Sequence, residues 1–295
     1  MDELTAEFLR ANPLPLPEDE VDKDARGRVV VVGGHREVPG AVLLAGESAL
    51  RSGAGKVQIA TVTSAAMGLA LAIPEARVTG LSETESGDIG AENSARIRTM
   101  IQDEDAVLLG PGMLDADNAG SLFSVLLETL ENQSLVFDAA ALTGLRDQTG
   151  LLRKFAGRSV MTPHAGEMAS FLDIDRDAVM ADPLAAARQA ADATGMVVVM
   201  KGSVTHIVDP SGHIALCQEG NVGLATSGSG DTLAGIIVGL LARGTAPLLA
   251  AQWGVFLHAA AGDRLKQKHG LLGYLAREIP AEIPSILADL TPEAR

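Results

Sequence analysis

From Arg28 onward the chain alternates short runs of β-branched and aliphatic residues with longer Ala- and Leu-rich stretches. The runs at 29–32, 56–61, 106–109, 135–137, 159–161 and 197–200 are each followed by a turn marked by Gly or Pro. Continuous apolar runs this short read as strands covered on both faces, and helical stretches between them read as βαβ units of a mainly parallel sheet. The rhythm changes at 205–208 and 214–217, which flank Asp209-Pro210-Ser211-Gly212, a turn suited to an antiparallel hairpin. One edge of the sheet is therefore predicted to be antiparallel. The last third is helical, at 231–241, 247–268 and a segment over 274–288 broken by Pro280 and Pro284. The Ala-rich part of the second of these, near Leu248 to Leu257, reads as core.

Composition narrows this picture. Of 295 residues, 47% are hydrophobic but only 3% aromatic, so the core must be built from Ala, Val, Leu and Ile, which suits strands between close-packed helices. Residues 1–27, with Pro13, Pro15, Pro17 and the run Glu18-Asp19-Glu20, read as a short helix and an extended lead-in ahead of one domain over 28–295. A formal charge of −15 opposes binding to nucleic acid or anionic membranes. Cys217 is the single cysteine, which excludes an internal disulfide and a multi-cysteine metal site and reads as a small buried hydrophobe in a reducing compartment. With no signal-like amino terminus and no apolar run near the ~18 residues of a membrane span, the expected location is cytoplasmic.

Five segments carry candidate chemistry. In Gly220 to Gly235, small residues crowd ahead of an apolar helix, so successive backbone N–H groups together with the positive helix end form an anion hole. Asp231 stands in the first turn, placed either to accept a proton from a hydroxyl attacking phosphorus or simply to cap the helix. Lys201, at the carboxyl end of the 197–200 strand and followed by Gly202-Ser203-Val204-Thr205, is a phosphate-directed charge or a solvated strand-end lysine. Thr162-Pro163-His164-Ala165-Gly166-Glu167 leaves another strand for a helix, with Glu167 placed to hold a hydrated Mg²⁺ or to cap. Gly110-Pro111-Gly112 lets a substrate approach the backbone, and Gly33-Gly34 with Pro39-Gly40-Ala41 opens the first helix. The three-glycine Rossmann spacing and the Walker A sequence are both missing.

In this order, the segments resemble the ADP-dependent NAD(P)H-hydrate dehydratases, the carboxy-terminal domain type of the YjeF proteins in the ribokinase-like superfamily. The carriers are Val38-Pro39-Gly40-Ala41 with Arg51-Ser52-Gly53-Ala54-Gly55, then Gly110-Pro111-Gly112, Thr162 to Glu167, Lys201 to Thr205 and Gly220 to Asp231. The resemblance implies an α/β ribokinase-like three-layer sandwich, with a mainly parallel sheet, helices on both faces and an antiparallel edge. It implies ADP-driven dehydration of (6S)-NADHX and NADPHX to NADH and NADPH through phosphorylation of the ring hydroxyl, with AMP and phosphate as products and Mg²⁺ as cofactor. Ala41, Gly112, His164 and Asp231 would contact the hydrated cofactor, with Asp231 as base. Lys201, Gly202, Ser203, Val204, Thr205 and Gly230 would hold the nucleotide, the amides of Gly228, Ser229 and Gly230 would form the anion hole for the transferring phosphoryl group, and Glu167 would act on the metal indirectly. A separate NAD(P)HX epimerase would serve the other epimer, and a homotetramer is the expected assembly. The sequence departs from the family at Ala140, where a second carboxylate is usual after Asp138, and at Val222 and Ser227. A kinase of the same fold acting on a hydroxymethylpyrimidine, hydroxyethylthiazole or sugar, and a catalytically silent nucleotide-binding protein, are the alternative readings.

Overall fold

The computed structural model of the chain describes residues 1–16 and 23–291. Pro17 and the Glu18-Asp19-Glu20 run of the expected lead-in lie outside the described residues, as do 292–295. One sheet of ten strands runs through the molecule: β1 (Asp2–Glu3), β2 (Arg28–Val32), β3 (Lys56–Val62), β4 (Arg77–Leu81), β5 (Ala106–Leu109), β6 (Ser134–Phe137), β7 (Ser159–Met161), β8 (Val197–Met200), β9 (Thr205–Val208) and β10 (Ile214–Cys217). Their spatial order is β1-β10-β9-β8-β7-β6-β5-β2-β3-β4. From β8 to β4 every neighbouring pair is parallel, and β8, β9 and β10 pair antiparallel.

The period of two in the strands builds the layers. In β2, Val29 and Val31 face one core while Val30 and Val32 face the other. Helices Gly40–Arg51, Ser229–Ala242, Pro247–His269 and Ile279–Leu290 cover the first face, and Ser94–Ile101, Ala116–Leu127, Ala165–Leu172 and Pro183–Thr194 cover the second. This is the three-layer α/β arrangement with an antiparallel edge that the alternation predicts. Ala250, Ala251, Trp253 and Leu257 are buried, so the Ala-rich helix belongs to the core.

Two strands escape the sequence pattern. β4 is an edge strand with Gly80 inside it and only Leu81 buried, so it lacks the apolar run of its neighbours. β1 has two polar residues and exists only because β10 offers it an edge. Residues 1–16 are bound into the fold, since Leu4, Leu9 and Leu14 join the core and Trp253 Nε1–H donates to the Asn12 carbonyl at 2.8 Å. The expected break at Pro280 and Pro284 is corrected. A helical turn over Ala276–Glu278 leads into an unbroken helix Ile279–Leu290, because Pro280 falls in its first turn and Pro284 lies only one turn further, so a single backbone pairing is lost.

Two parallel-packed helices set the position of the site. Gly235 and Gly239 let Ser229–Ala242 lie against Gly40–Arg51 at backbone contact, and a Cβ on Gly235 would stand 2.7 Å from Ala45 Cα. Gly235→Val should therefore cost about 3 kcal/mol or more through overpacking. Thermal unfolding checks this, and an unchanged midpoint would refute the close-packing account.

Candidate active site

The carboxyl ends of β2, β5, β6, β7 and β8 share one edge, and the candidate residues gather there. After β10 the chain enters the Gly220–Asp231 loop, which is pinned from outside. Asp263 accepts the Gly220 N–H and Asn221 Nδ2–H at 3.0 Å each. Asn221 Oδ1 in turn accepts the Gly223 N–H at 3.0 Å and the Tyr274 hydroxyl at 2.9 Å. Gly228 takes φ 88° as the cap, and the helix begins at Ser229, two residues before the predicted start. The Ser229 N–H turns to the Thr226 carbonyl at 3.2 Å. Of the expected anion-hole amides, that of Gly230 stays in the first turn, where a helix cannot pair it internally, and the Asp231 amide joins it there.

Lys201 is the hub. Its Nζ lies 3.1 Å from Asp138 Oδ1 and 3.7 Å from Glu167 Oε2, and its side chain is 18% exposed against 4% for Asp138. Asp138 Oδ1 also accepts the Thr162 hydroxyl at 2.7 Å. A Cβ on Gly230 would sit 3.3 Å from Lys201 Nζ, so this cation stands directly beneath the helix start. Lys201 is thus already paired with carboxylates, and its charge reaches a phosphate as part of that cluster.

His164 and Glu167 form a reciprocal cap. His164 Nδ1 accepts the Gly166 and Glu167 N–H groups at 3.0 and 3.2 Å, and Glu167 Oε2 accepts the His164 N–H at 2.8 Å. His164 Nδ1 thus caps the helix while its exposed ring lines the cavity described below.

Electrostatics follow from this crowding. Burial and then the neighbouring Asp138 push the Asp231 carboxyl up to about 7, against a downward pull from Lys201 that outweighs the further upward push from Glu167. Burial alone would lower Lys201, but Asp138, Glu167 and Asp231 outweigh it and hold the ammonium above its ordinary value. A carboxylate poised near neutrality is what a general base needs.

A cavity of ≈ 690 Å³ opens beside this cluster. His164, Lys201, Gly202, Ser203, Thr205 and Gly230 line it, and Cys217, Leu233, Val255 and Ala259 give it an apolar end. Cys217 is buried as expected, and desolvation pushes its thiol up to about 11, which makes it an inert wall. Ala41 and Gly112 lie apart from this cavity and against each other. Gly112 holds φ 70°, and a Cβ there would be 2.6 Å from Ala41 Cβ. Leu44, one turn beyond Ala41, closes on Gly228, since a Cβ on that glycine would be 2.5 Å from Leu44 Cδ1. Leu44 thus links the helix carrying Ala41 to the Gly228 turn. Gly112→Val should raise KM for whatever binds beside the Ala41–Gly112 contact by about 100-fold through misplacement. KM for the occupant of the larger cavity should stay unchanged; steady-state kinetics in each substrate separates the two.

Sequence reading missed His258. Its Nε2 sits 2.9 Å from Ser229 Oγ and 3.1 Å from the Ser229 carbonyl, and burial followed by the charge of Lys201 lowers it to about 4, so the ring is neutral. A lone histidine inside the apolar run 254–261 was the available signal. The anchors Asp263 and Tyr274 carry no such mark.

A buried carboxyl at a glycine-rich helix start, beside a cavity at the carboxyl edge of a mainly parallel sheet, is the arrangement of the ribokinase-like enzymes. A ribokinase-like superfamily protein from Enterococcus faecalis shares the fold with a TM-score of 0.82 and 28% identity over 98% of this chain and 96% of that one. Within that class the family can be stated. The chain belongs to the NAD(P)H-hydrate dehydratase family, whose model matches residues 29–285. It is 47% identical over 96% of its length, and 95% of the relative's, to an ADP-dependent (S)-NAD(P)H-hydrate dehydratase of Xanthomonas campestris. The Bacillus subtilis ADP/ATP-dependent NAD(P)H-hydrate dehydratase, co-crystallized with ATP/Mg²⁺, superposes with a TM-score of 0.83 at 27% identity, covering 98% of this chain and 99% of that one. The chain spans about half the length of the bifunctional NAD(P)H-hydrate repair enzymes among its relatives.

Proposed function

We propose that the protein catalyses the ADP-dependent dehydration of (6S)-NADHX and NADPHX. The observation that carries the reading is Asp231, held near neutrality at the start of Ser229–Ala242 between a nucleotide-sized cavity and a separate face formed by Ala41 and Gly112. ADP occupies the cavity along Lys201 to Thr205, and the hydrated nicotinamide lies against Ala41, Gly112 and His164.

The ring hydroxyl gives its proton to Asp231 and attacks the β-phosphorus of ADP. The bond from that phosphorus to the bridging oxygen breaks and AMP leaves with the electron pair. The first-turn amides of Gly230 and Asp231 and the positive helix end receive the charge of the moving phosphoryl group. The ring C–O bond then breaks, phosphate departs with its electrons, the adjacent ring carbon gives its proton to the departing phosphate, and the C–H electron pair restores the double bond. Phosphate is a good leaving group where hydroxide is a poor one.

Among the described residues no group of three or more His, Cys, Asp or Glu side chains forms a metal cage. Mg²⁺ is commonly held by one or two carboxylates and the phosphates. Glu167 would hold it through water, because its Oε2 is already engaged with His164 N–H, and Asp138 would assist; the ion would supply neutralising charge on the phosphates. Ala140, where the sequence departs from the pattern that the resemblance implies, is buried and contributes no charge.

No helix among the described residues is long and apolar enough to cross a membrane. A separate epimerase as functional partner is supported by the bifunctional relatives, and a cytoplasmic homotetramer is what the resemblance implies. The test is an assay of the purified chain on NADHX with ADP and ATP side by side. Absorbance of reduced nicotinamide should appear together with one AMP and one phosphate per turnover when ADP is used. A stable phosphorylated product with no return of that absorbance would make the protein a kinase, and tight ADP binding without turnover would make it a binding protein.

A further inference from the structure

On the side of the substrate face away from Lys201, three segments remote in sequence meet: 33–39 after β2, 82–90 after β4, and 110–115 after β5. The middle one is a closed turn. The Thr84 N–H donates to the Asp88 carbonyl at 2.9 Å, the Asp88 N–H donates to Thr84 Oγ1 at 3.1 Å, and Glu83 bridges Ile89.

At its tip Asp88, 1% exposed, spends both carboxylate oxygens on the backbone of the third segment. Oδ1 accepts the Leu114 N–H at 3.0 Å and Oδ2 accepts the Asp115 N–H at 3.2 Å. His35, also buried, ties the first segment to the same point. Its Nδ1 accepts the Glu37 N–H at 3.0 Å, so its proton sits on Nε2, which donates to the Ser86 carbonyl at 2.9 Å and lies 3.8 Å from Asp88 Oδ2. The Arg36 N–H donates to the Gly87 carbonyl at 2.9 Å, and Gly87 keeps φ 107° so that no Cβ strikes His35.

A buried carboxylate whose sole ionisable partner within 4 Å among the described residues is a histidine costs free energy that an apolar residue would not. What it secures is the course of the backbone next to Gly112, the glycine pressed against Ala41. The Gly34 N–H bond to the Pro111 carbonyl at 2.8 Å completes the tie between the first and third segments.

We propose that Asp88 and His35 are positioning residues that hold the 110–115 backbone against Ala41 and so set the geometry of the hydrated-nicotinamide face. This rests on the function proposed above for that face. Neither residue touches the nucleotide cavity, and the effect should divide accordingly.

Asp88→Asn keeps one acceptor for two amides and points an NH₂ at the other. The expected result is a rise in KM for NADHX of about 10-fold or more with KM for ADP unchanged, together with faster hydrogen exchange at the Leu114 and Asp115 amides. His35→Gln should move the same quantities in the same direction, and it carries the test if Asp88→Asn does not fold. Equal rises in both KM values, or unaltered KM for NADHX, would overturn the proposal. If the wild type fails to regenerate reduced nicotinamide at all, the functional reading falls instead. The exchange measurement then still decides positioning, because unchanged protection at Leu114 and Asp115 refutes it.

Discussion

Asp231→Asn should lower kcat by about 10³-fold or more, the scale on which an essential proton acceptor is lost, while ADP still binds. Wild-type kcat/KM should fall as pH drops through about 7, since the protonated carboxyl cannot take the hydroxyl proton. The variant should lose that limb. Stability should move the other way. Asp231 is raised from 3.8 to about 7 on folding, so its favourable contribution is complete below pH 4 and is lost as pH rises through 7, where an ionised carboxylate is forced on a buried, acidic site. At pH 8 the Asn variant should therefore melt several degrees above wild type, with a smaller gap at pH 5. Calorimetry at the two pH values checks this, and equal melting points would remove the electrostatic account of the base even if activity were lost.

The second large effect belongs to Lys201→Met. Lys201 offsets Asp138, Glu167 and Asp231 at once. Removing it leaves Asp138 buried with Thr162 as its hydrogen-bonding side chain, which should cost about 3 kcal/mol of stability. It also removes the downward pull on Asp231, so the activity limb should move alkaline. Kinetics from pH 6 to 9 distinguish two roles. Partial recovery at high pH assigns Lys201 to tuning Asp231, whereas a uniform loss of about 10²-fold at every pH assigns it to the transferring phosphoryl group. Nucleotide affinity, read by the ADP-induced rise in melting temperature, should fall in either case.

Much of this site was legible because it is built from backbone. Gly228, Gly230, Gly112 and Gly202 stand where a chain must turn tightly or let a ligand close, and such positions declare themselves by residue type. Asp231 and Glu167 were legible for a related reason, as carboxylates in the first turn of a helix that follows a strand. The partners of these residues were not. Lys201 and Asp138 are far apart in the chain and adjacent only because β8, β7 and β6 are neighbours in the sheet. The same holds for Asp88, an unremarkable acid in a polar turn until β4 folds back to place it under Leu114.

The alternating pattern by itself determined a layered α/β protein with an antiparallel edge, because strand and helix periods are local properties of the chain. The ordered glycine segments by themselves marked the turns that follow the strands. Tertiary structure alone decided the addition of β1 and β4 at the sheet edges, where pairing substitutes for an apolar run. It also decided which charges face one another at Asp231, and hence that this carboxyl rests near neutrality. Coulomb energy and desolvation depend on distance in space and on burial, and neither is a property of sequence spacing.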